Sequence, residues 1–133
     1  MGSKIESIPI EQSRTYKASY DITWAAAVEA LTSLNFSFDT IDKTSGLINT
    51  GDVITAQSGF LEDSHYYGKR GFMGSTKEMA NAKLLIKEIQ RGQTNVRLIV
   101  NIKEYGKFGW FNEESKGVLE RKIYDAIELS LKQ

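Results

Sequence analysis

The sequence predicts an α+β domain, in which an antiparallel sheet of about five strands carries two helices on one face. Three segments lead to this prediction: a helical apolar periodicity after residue 21, a second one at the C-terminal end, and a clean strand alternation over 94–105. Each segment has a single apolar face, and two helices on one side of the sheet bury all three faces together. The predicted element order is β-α-β-β-β-β-α.

Length and composition indicate one ordinary globular domain. The chain has 133 residues, which is enough to bury a core without disulfides. Its 17 basic and 17 acidic residues balance, so no net field attracts nucleic acid or an anionic membrane. The absence of cysteine excludes disulfides, thiol nucleophiles and thiolate metal ligands. We interpret residues 1–13 as a flexible leader that begins with a cloning remnant, and residues 14–133 as a single α+β domain.

The first strand and the first helix are expected before residue 36. Apolar and polar residues alternate from Arg14 to Tyr20, as in a strand. Asp21 is a suitable N-cap for the helix that follows, and Asn35 is expected to end it in the left-handed conformation. The apolar face of this helix is expected to consist of Trp24, Ala27, Val28, Leu31 and either Leu34 or Asn35.

Two further strands are expected before a long glycine-rich segment. Phe36, Phe38 and Ile41 indicate the second strand, and Gly46 provides a positive φ in the turn that follows it. The third strand is expected over 47–55. Residues 56–76 then contain four glycines and an aromatic cluster but little periodicity, which is typical of a functional loop.

Residues 80–90 fit either a helix that ends at Gly92 or a strand, because apolar residues alternate from Ala80 to Ile86. We favour the strand, since the strand over 94–105 needs a partner and the short turn at 91–93 would join the two as a hairpin. A second aromatic loop is expected over 106–112. Ser115 is expected to cap the last helix. Its apolar face consists of Leu119, Ile123, Ala126, Ile127 and Leu131.

Part of the chain is similar to a known family. The pattern consists of Tyr20-Asp21-x-x-Trp24-x-Ala26, then Leu31, Leu34 and Phe36, then Asp42-Lys43-x-x-Gly46-x-Ile48-x-Thr50, and finally Gly117-x-x-Glu120. It resembles the domains of the outer-membrane assembly lipoprotein C (BamC) family and related small envelope lipoproteins. The resemblance covers residues 14–50 well and the last helix loosely.

The resemblance implies a lipid-anchored periplasmic protein that contacts other envelope proteins and has no catalytic residues. We therefore expect a periplasmic location with outer-membrane anchoring. Membrane contact would occur only through an N-terminal lipid anchor, and the cysteine that carries such an anchor is absent from this sequence.

Candidate catalytic and metal-binding groups are few. His65 is the single histidine, and with Glu62 and Asp63 it forms a poor ligand set for a transition metal. A serine hydrolase would need a serine on a sharp elbow, and no Gly-x-Ser-x-Gly motif occurs. We therefore predict no enzyme activity, no metal and no cofactor.

The run Gly68-Lys69-Arg70-Gly71 resembles the Gly-x-x-Gly loop with which KH domains hold nucleic acid. The residues before it form a poor helix, and the chain carries no net charge, so we predict no nucleic-acid partner.

Two aromatic loops without catalytic groups favour a protein-interaction module. We predict that the partner-binding residues are Tyr66, Tyr67, Lys69, Arg70, Phe72, Phe108, Trp110 and Phe111. The partner would be another envelope protein. The alternative function is a helix-grip-like carrier, in which a cavity between the helices and the sheet holds a small apolar ligand.

Overall fold

The computed structural model describes residues 9–54, 77–106 and 109–133. The elements are β1 (Ser13–Tyr16), α1 (Tyr20–Ser33), β2 (Phe38–Asp42), β3 (Leu47–Thr50), β4 (Val53–Ile54), β5 (Lys77–Gln90), β6 (Gln93–Gly106), β7 (Gly109–Glu113) and α2 (Val118–Leu131). The predicted α+β class is confirmed, although the described residues contain seven strands rather than about five. The predicted loop over 56–76 lies outside the described residues.

The two long strands β5 and β6 form the centre of the sheet. Each has 14 residues, and they pair antiparallel from Lys77 opposite Tyr105 to Gln90 opposite Gln93. The prediction of a strand over 80–90 is therefore confirmed. At the Gln90 end, β1 pairs with β6, and β3 and then β2 extend the sheet beyond β5. At the Lys77 end, β7 pairs with β6 and β4 pairs with β5.

One face of this sheet is covered by both helices, which also pack against each other. The core side chains of β5 and β6 are the even-numbered ones, because alternate residues of a strand point to the same face. They are Ala80, Ala82, Leu84, Ile86, Val96, Leu98 and Ile102, all at most 3% exposed. The helices, together with Leu34 at the C-cap of α1, contribute to the same cluster the side chains of Trp24, Ala27, Leu31, Leu119, Ile123 and Ile127. The predicted apolar faces of both helices are thus confirmed.

The prediction that Asp21 caps α1 is wrong. Ser19 is the N-cap, because its backbone is extended and its side chain accepts a hydrogen bond from the Ile22 amide at 3.2 Å. Asp21 lies in the first helical turn and pairs with Lys43 at 3.0 Å. At the other end of α1, Asn35 has a φ of 67°, as predicted.

The prediction that Ser115 caps α2 is also wrong, since the N-cap is Gly117, with a φ of 88°. Ser115 instead orders the residues before the helix. Its hydroxyl accepts a hydrogen bond from the Gly117 amide at 3.0 Å and donates one to Glu120 Oε1 at 2.7 Å.

The third strand, predicted to run over 47–55, is divided into β3 and β4. Between them, the Gly51 amide donates to the Ser37 carbonyl oxygen at 3.0 Å, which draws the chain away from β5. The Thr50 hydroxyl accepts from the Ala82 amide at 2.8 Å and replaces the hydrogen bond of a continuous strand. The Ala82 amide of β5 therefore keeps a hydrogen-bond partner where the chain turns away from β5.

Two residues near the N-terminus contact the sheet and the second helix. The Leu98 amide donates to the Gln12 carbonyl oxygen at 2.9 Å, and the Tyr124 hydroxyl donates to the Glu11 carbonyl oxygen at 3.0 Å. Residues 11 and 12 therefore lie against β6 and α2.

Candidate partner-binding surface

Six of the eight predicted partner-binding residues lie outside the described part of the chain. These are Tyr66, Tyr67, Lys69, Arg70, Phe72 and Phe108. Trp110 and Phe111 are described, but the predicted loop over 106–112 is wrong for them, because they lie in β7. Aromatic side chains favour strands, and β7 pairs with the end of β6, where Gly109 stands opposite Gly106.

The strand places Trp110 and Phe111 on opposite faces of the sheet, since consecutive side chains of a strand alternate. Phe111 is half-buried and stands opposite Glu104, whose side chain is on the helix-covered face. Trp110 stands opposite Tyr105 on the face that neither helix covers. The sheet therefore separates the two aromatic residues that were predicted to act together.

Tyr105 and Trp110 form an exposed aromatic pair. Their rings lie 5.2 Å apart at an interplanar angle of 60°, and the two residues are 41% and 46% exposed. The sequence did not lead us to Tyr105 as a binding residue. A signal is present in Tyr105-Gly106-x-x-Gly109-Trp110, where two aromatics flank a symmetric glycine spacing that is typical of a tight hairpin.

The uncovered face is formed by odd-numbered residues of β5 and β6 and by their partners on neighbouring strands. Across the middle of the two long strands, three cross-strand pairs follow one another. They are Lys83 with Ile99, Leu85 with Arg97, and Lys87 with Asn95. We call these residues the central rows. Each row places one cation beside an aliphatic or amide side chain.

A polar network lies between the central rows and the aromatic pair. Asp52 accepts hydrogen bonds from Asn81 Nδ2 at 2.6 Å and from Lys103 Nζ at 3.0 Å, and Asn101 Nδ2 donates to Asn81 Oδ1 at 3.0 Å. Partial burial opposes ionisation of Asp52, but the hydrogen bonds from Asn81 and Lys103 and the charge of Lys103 outweigh it, so the pKa of Asp52 lies below its usual value.

Replacing Asp52 with Asn should lower the free energy of unfolding by at most about 1 kcal/mol at neutral pH, because the ion pair is partly exposed. The lowered pKa in the folded protein means that the carboxylate stabilises the fold above its unfolded pKa of about 3.9 and loses this effect as the pH falls through the folded value. Urea unfolding from pH 7 down to about pH 2 checks this prediction. A difference between variant and wild type that stays constant down to the lowest pH would contradict it.

A second cluster surrounds Arg14 at the edge where β1 meets α2. Its guanidinium pairs with Glu11 at 2.9 Å and with Glu128, and it lies 4.5 Å from the centre of the Tyr124 ring. The Tyr16 hydroxyl donates to Glu128 at 3.2 Å. Burial, together with the Glu11 charge, raises the pKa of Tyr124 to about 12 despite the opposing charge of Arg14. These groups are engaged with one another and join β1 to α2.

Two cavities, of about 230 and 660 Å³, share Glu11 and Arg14 as lining residues. A third cavity, of about 420 Å³, is a notch at the free edge of β6. It exists because β1 pairs with β6 only as far as Arg97, whereas pairing with β7 begins at Ile102. Glu113 and Glu114 line this notch.

Metal and membrane sites receive no support from the described residues. No group of three or more His, Cys, Asp or Glu side chains in 9–54, 77–106 and 109–133 is placed to hold a metal ion. His65 lies outside those ranges. Neither α1 nor α2 is long and apolar enough to cross a bilayer.

Comparisons with known proteins show a distant structural likeness. No family model and no curated protein matches the sequence. Among solved structures, the chain is similar to the crystal structure of a DUF4468 family protein from Bacteroides ovatus. The two share 10% sequence identity over 96% of this chain and 91% of the other, with a TM-score of 0.46. None of these comparisons links the chain to the BamC family, so that resemblance stays a sequence-based prediction.

Proposed function

We propose that the protein is a non-enzymatic protein-interaction module whose binding surface includes the Tyr105–Trp110 pair. The exposure of this pair on the uncovered sheet face is the observation that carries the proposal. Tryptophan and tyrosine are the residue types most enriched among interface positions that dominate binding energy. Large aromatic side chains that stay accessible to water on a folded domain are available to a partner.

The position of the pair supports this role. Pairing between β6 and β7 holds the two rings at the end of the longest hairpin of the described fold, which makes them a rigid anchor rather than a loop that must be ordered on binding. Lys103 and Asn112 stand opposite each other in the next row and supply a polar border.

The carrier alternative has less support from the described residues. The space between the helices and the sheet is filled by 19 buried hydrophobic residues. The cavities described above open at the β1, α2 and β6 edges instead. An apolar ligand would need room inside the core, where packing is dense.

A location at the bacterial cell envelope is part of the proposal only through the resemblance to the BamC family. Cell fractionation of the native gene product tests that part independently of the binding surface.

Replacing Trp110 with Ala should reduce partner capture about 30-fold, which corresponds to the loss of about 2 kcal/mol at a dominant interface position. Tyr105→Ala should act in the same direction. Thermal unfolding should change little, because both side chains are substantially exposed. The measurement is cross-linking in an extract of the source cells, with the captured proteins quantified by mass spectrometry.

Leu129→Ala is the matched control, because Leu129 is 63% exposed on α2, away from the uncovered face. Capture that survives in the Trp110 and Tyr105 variants, or that falls equally in the Leu129 variant, would refute the assignment. The same assay with Tyr66, Tyr67 and Phe72 replaced by Ala tests the predicted residues that lie outside the described part of the chain.

A further inference from the structure

The uncovered face of the sheet carries an excess of positive charge although the chain as a whole has none. Its described cations are Lys83, Lys87, Arg97 and Lys103. The acids near this face lie outside β5 and β6: Asp42, which stands opposite Leu47, Asp52, and Asp39, whose carboxylate lies beside Gly51. On β5 and β6 themselves, the odd-numbered residues of 79–87 and 95–105 include these four cations and no acid, although the chain as a whole carries no net charge.

Three of these cations are available to a partner. Lys103 is neutralised by Asp52 at 3.0 Å. Lys83, Lys87 and Arg97 are exposed and form no ion pair with any residue in the described ranges. They lie on adjacent rows of two paired strands, so one extended ligand can reach all three.

Aliphatic side chains separate the three cations. Ile99 is 38% exposed, and Leu85 is half-buried beside Leu47, its partner on β3. An apolar centre bordered by charged groups is the usual anatomy of a protein interface. A ligand that matches this surface needs aliphatic side chains as well as negative charge.

We infer that the central rows bind an acidic, amphipathic segment of a partner protein, an inference that rests on the proposed function and specifies its partner. The acidic groups of the segment lie over Lys83, Lys87 and Arg97, and its aliphatic groups lie over Leu85 and Ile99.

A single-stranded nucleic acid fits this surface less well. Such ligands are held by aromatic side chains on which successive bases stack. The aromatic pair on this face begins at Tyr105, six residues along β6 from Ile99, which is roughly 20 Å at the rise of a strand. The described side chains of the central rows include no aromatic ring.

The test is an NMR titration of the whole isotope-labelled chain with a synthetic peptide in which Glu and Leu alternate. We expect shifts of the backbone amides of 83–87 and 95–99. The triple variant Lys83→Gln, Lys87→Gln, Arg97→Gln should bind about tenfold more weakly or worse, since three border ion pairs are lost. Raising the ionic strength from about 0.05 to about 0.5 M should weaken wild-type binding.

The control variant Arg121→Gln, Lys122→Gln, Lys132→Gln removes the same charge from α2 and its C-cap, which lie off this face, and should bind within about twofold of wild type. Three results would overturn the inference: equal binding of a peptide with Gln in place of Glu, tighter binding of oligothymidine at the same amides, or shifts at these amides on concentrating the protein alone. The last result would indicate self-association.

The inference and the proposed function fail separately. Suppose that the Trp110 variant loses partner capture while the acidic peptide does not shift the amides of 83–87 and 95–99. The proposed interaction module would then be supported, and the inference of an acidic partner would be refuted. If the peptide binds the central rows and capture is indifferent to Trp110 and Tyr105, the aromatic pair is the wrong anchor.

Discussion

Replacing Gly46 with Ala should lower the free energy of unfolding by about 3 kcal/mol or more, a large loss for the addition of a single methyl group. Gly46 has a φ of +81°, a region in which a side chain is strained by about 1–2 kcal/mol. The remainder of the loss comes from a collision. A Cβ atom built on Gly46 lies 2.1 Å from the Ile86 carbonyl oxygen, a backbone atom that cannot rotate away.

The hydrogen bonds around Gly46 explain why the backbone cannot easily move to remove this collision. Its amide donates to the Asp42 carbonyl oxygen at 2.9 Å, and its own carbonyl oxygen accepts from the Ile86 amide at 2.8 Å. The Tyr20 hydroxyl, which lies 3.2 Å from the added Cβ, donates to the Lys43 carbonyl oxygen at 2.6 Å. Moving the turn to make room would break hydrogen bonds on both sides of it.

Gly92→Ala is the matched control for this prediction. Gly92 has a similar φ of +78°, but no atom lies within 4 Å of its added Cβ. We expect a loss of about 1 kcal/mol, because the strain remains while the collision is absent and the unfolded chain loses some freedom. Urea unfolding of the two variants measures both losses. Equal losses would mean that the close approach between Gly46 and Ile86 does not govern the turn.

Replacing Glu104 with Met should raise the free energy of unfolding by about 2 kcal/mol. Glu104 is 1% exposed, and neither of its carboxylate oxygens has a hydrogen-bond partner among the described residues. Glu78, which is 2% exposed, stands directly opposite on β5. Buried carboxylates that face each other across a strand pair disfavour folding, both by lost hydration and by repulsion.

Methionine has a similar length and would place an apolar group where the helix-covered face continues from Ile102. The control is Glu88→Met, because Glu88 lies on the same hairpin but is exposed, and its replacement should change stability by less than about 0.5 kcal/mol. Urea unfolding at pH 7 measures the free energy of unfolding of both variants and of wild type. A loss of stability in the Glu104 variant would show that this carboxylate stabilises the fold.

Much of the fold could be predicted because several signals agreed. The alternation from Val96 to Ile102 fixed one strand and its buried face, and the need for a hairpin partner decided between helix and strand for residues 80–90. The apolar periodicities of α1 and α2 placed both helices on the sheet. These elements are long, so a periodic pattern has enough repeats to be read.

Shorter features were predicted incorrectly, because their local sequence fits more than one structure. The glycines on either side of Phe108 suggested a loop, although they flank a hairpin whose second strand is β7. Asp21 and Ser115 are both good capping types, but Ser19 and Gly117 hold the backbone angles of the N-caps. The third strand divides because Gly51 bonds to Ser37, a contact between distant residues that no local pattern reveals.

The candidate surface was only partly predictable, because it depends on which side chains share a face. Trp110 was predicted, whereas Tyr105 was assigned only to a strand, and the paired rings exist only through the register of β6 with β7. Lys83, Lys87 and Arg97 come from two strands, and their proximity follows from the β5–β6 pairing. In a chain of balanced charge, a local excess of cations appears only when the sheet brings these residues together.

Hydroxyl-radical footprinting of the protein, alone and cross-linked to its captured partner, tests the central claim most directly. We predict that oxidation of Trp110, Tyr105 and Ile99 falls in the complex, while Ile22 and Leu129, which are 58% and 63% exposed on the helices, are oxidised as in the free protein. Protection of Ile22 and Leu129, with Trp110 as reactive as before, would place the partner on the helices and contradict the account.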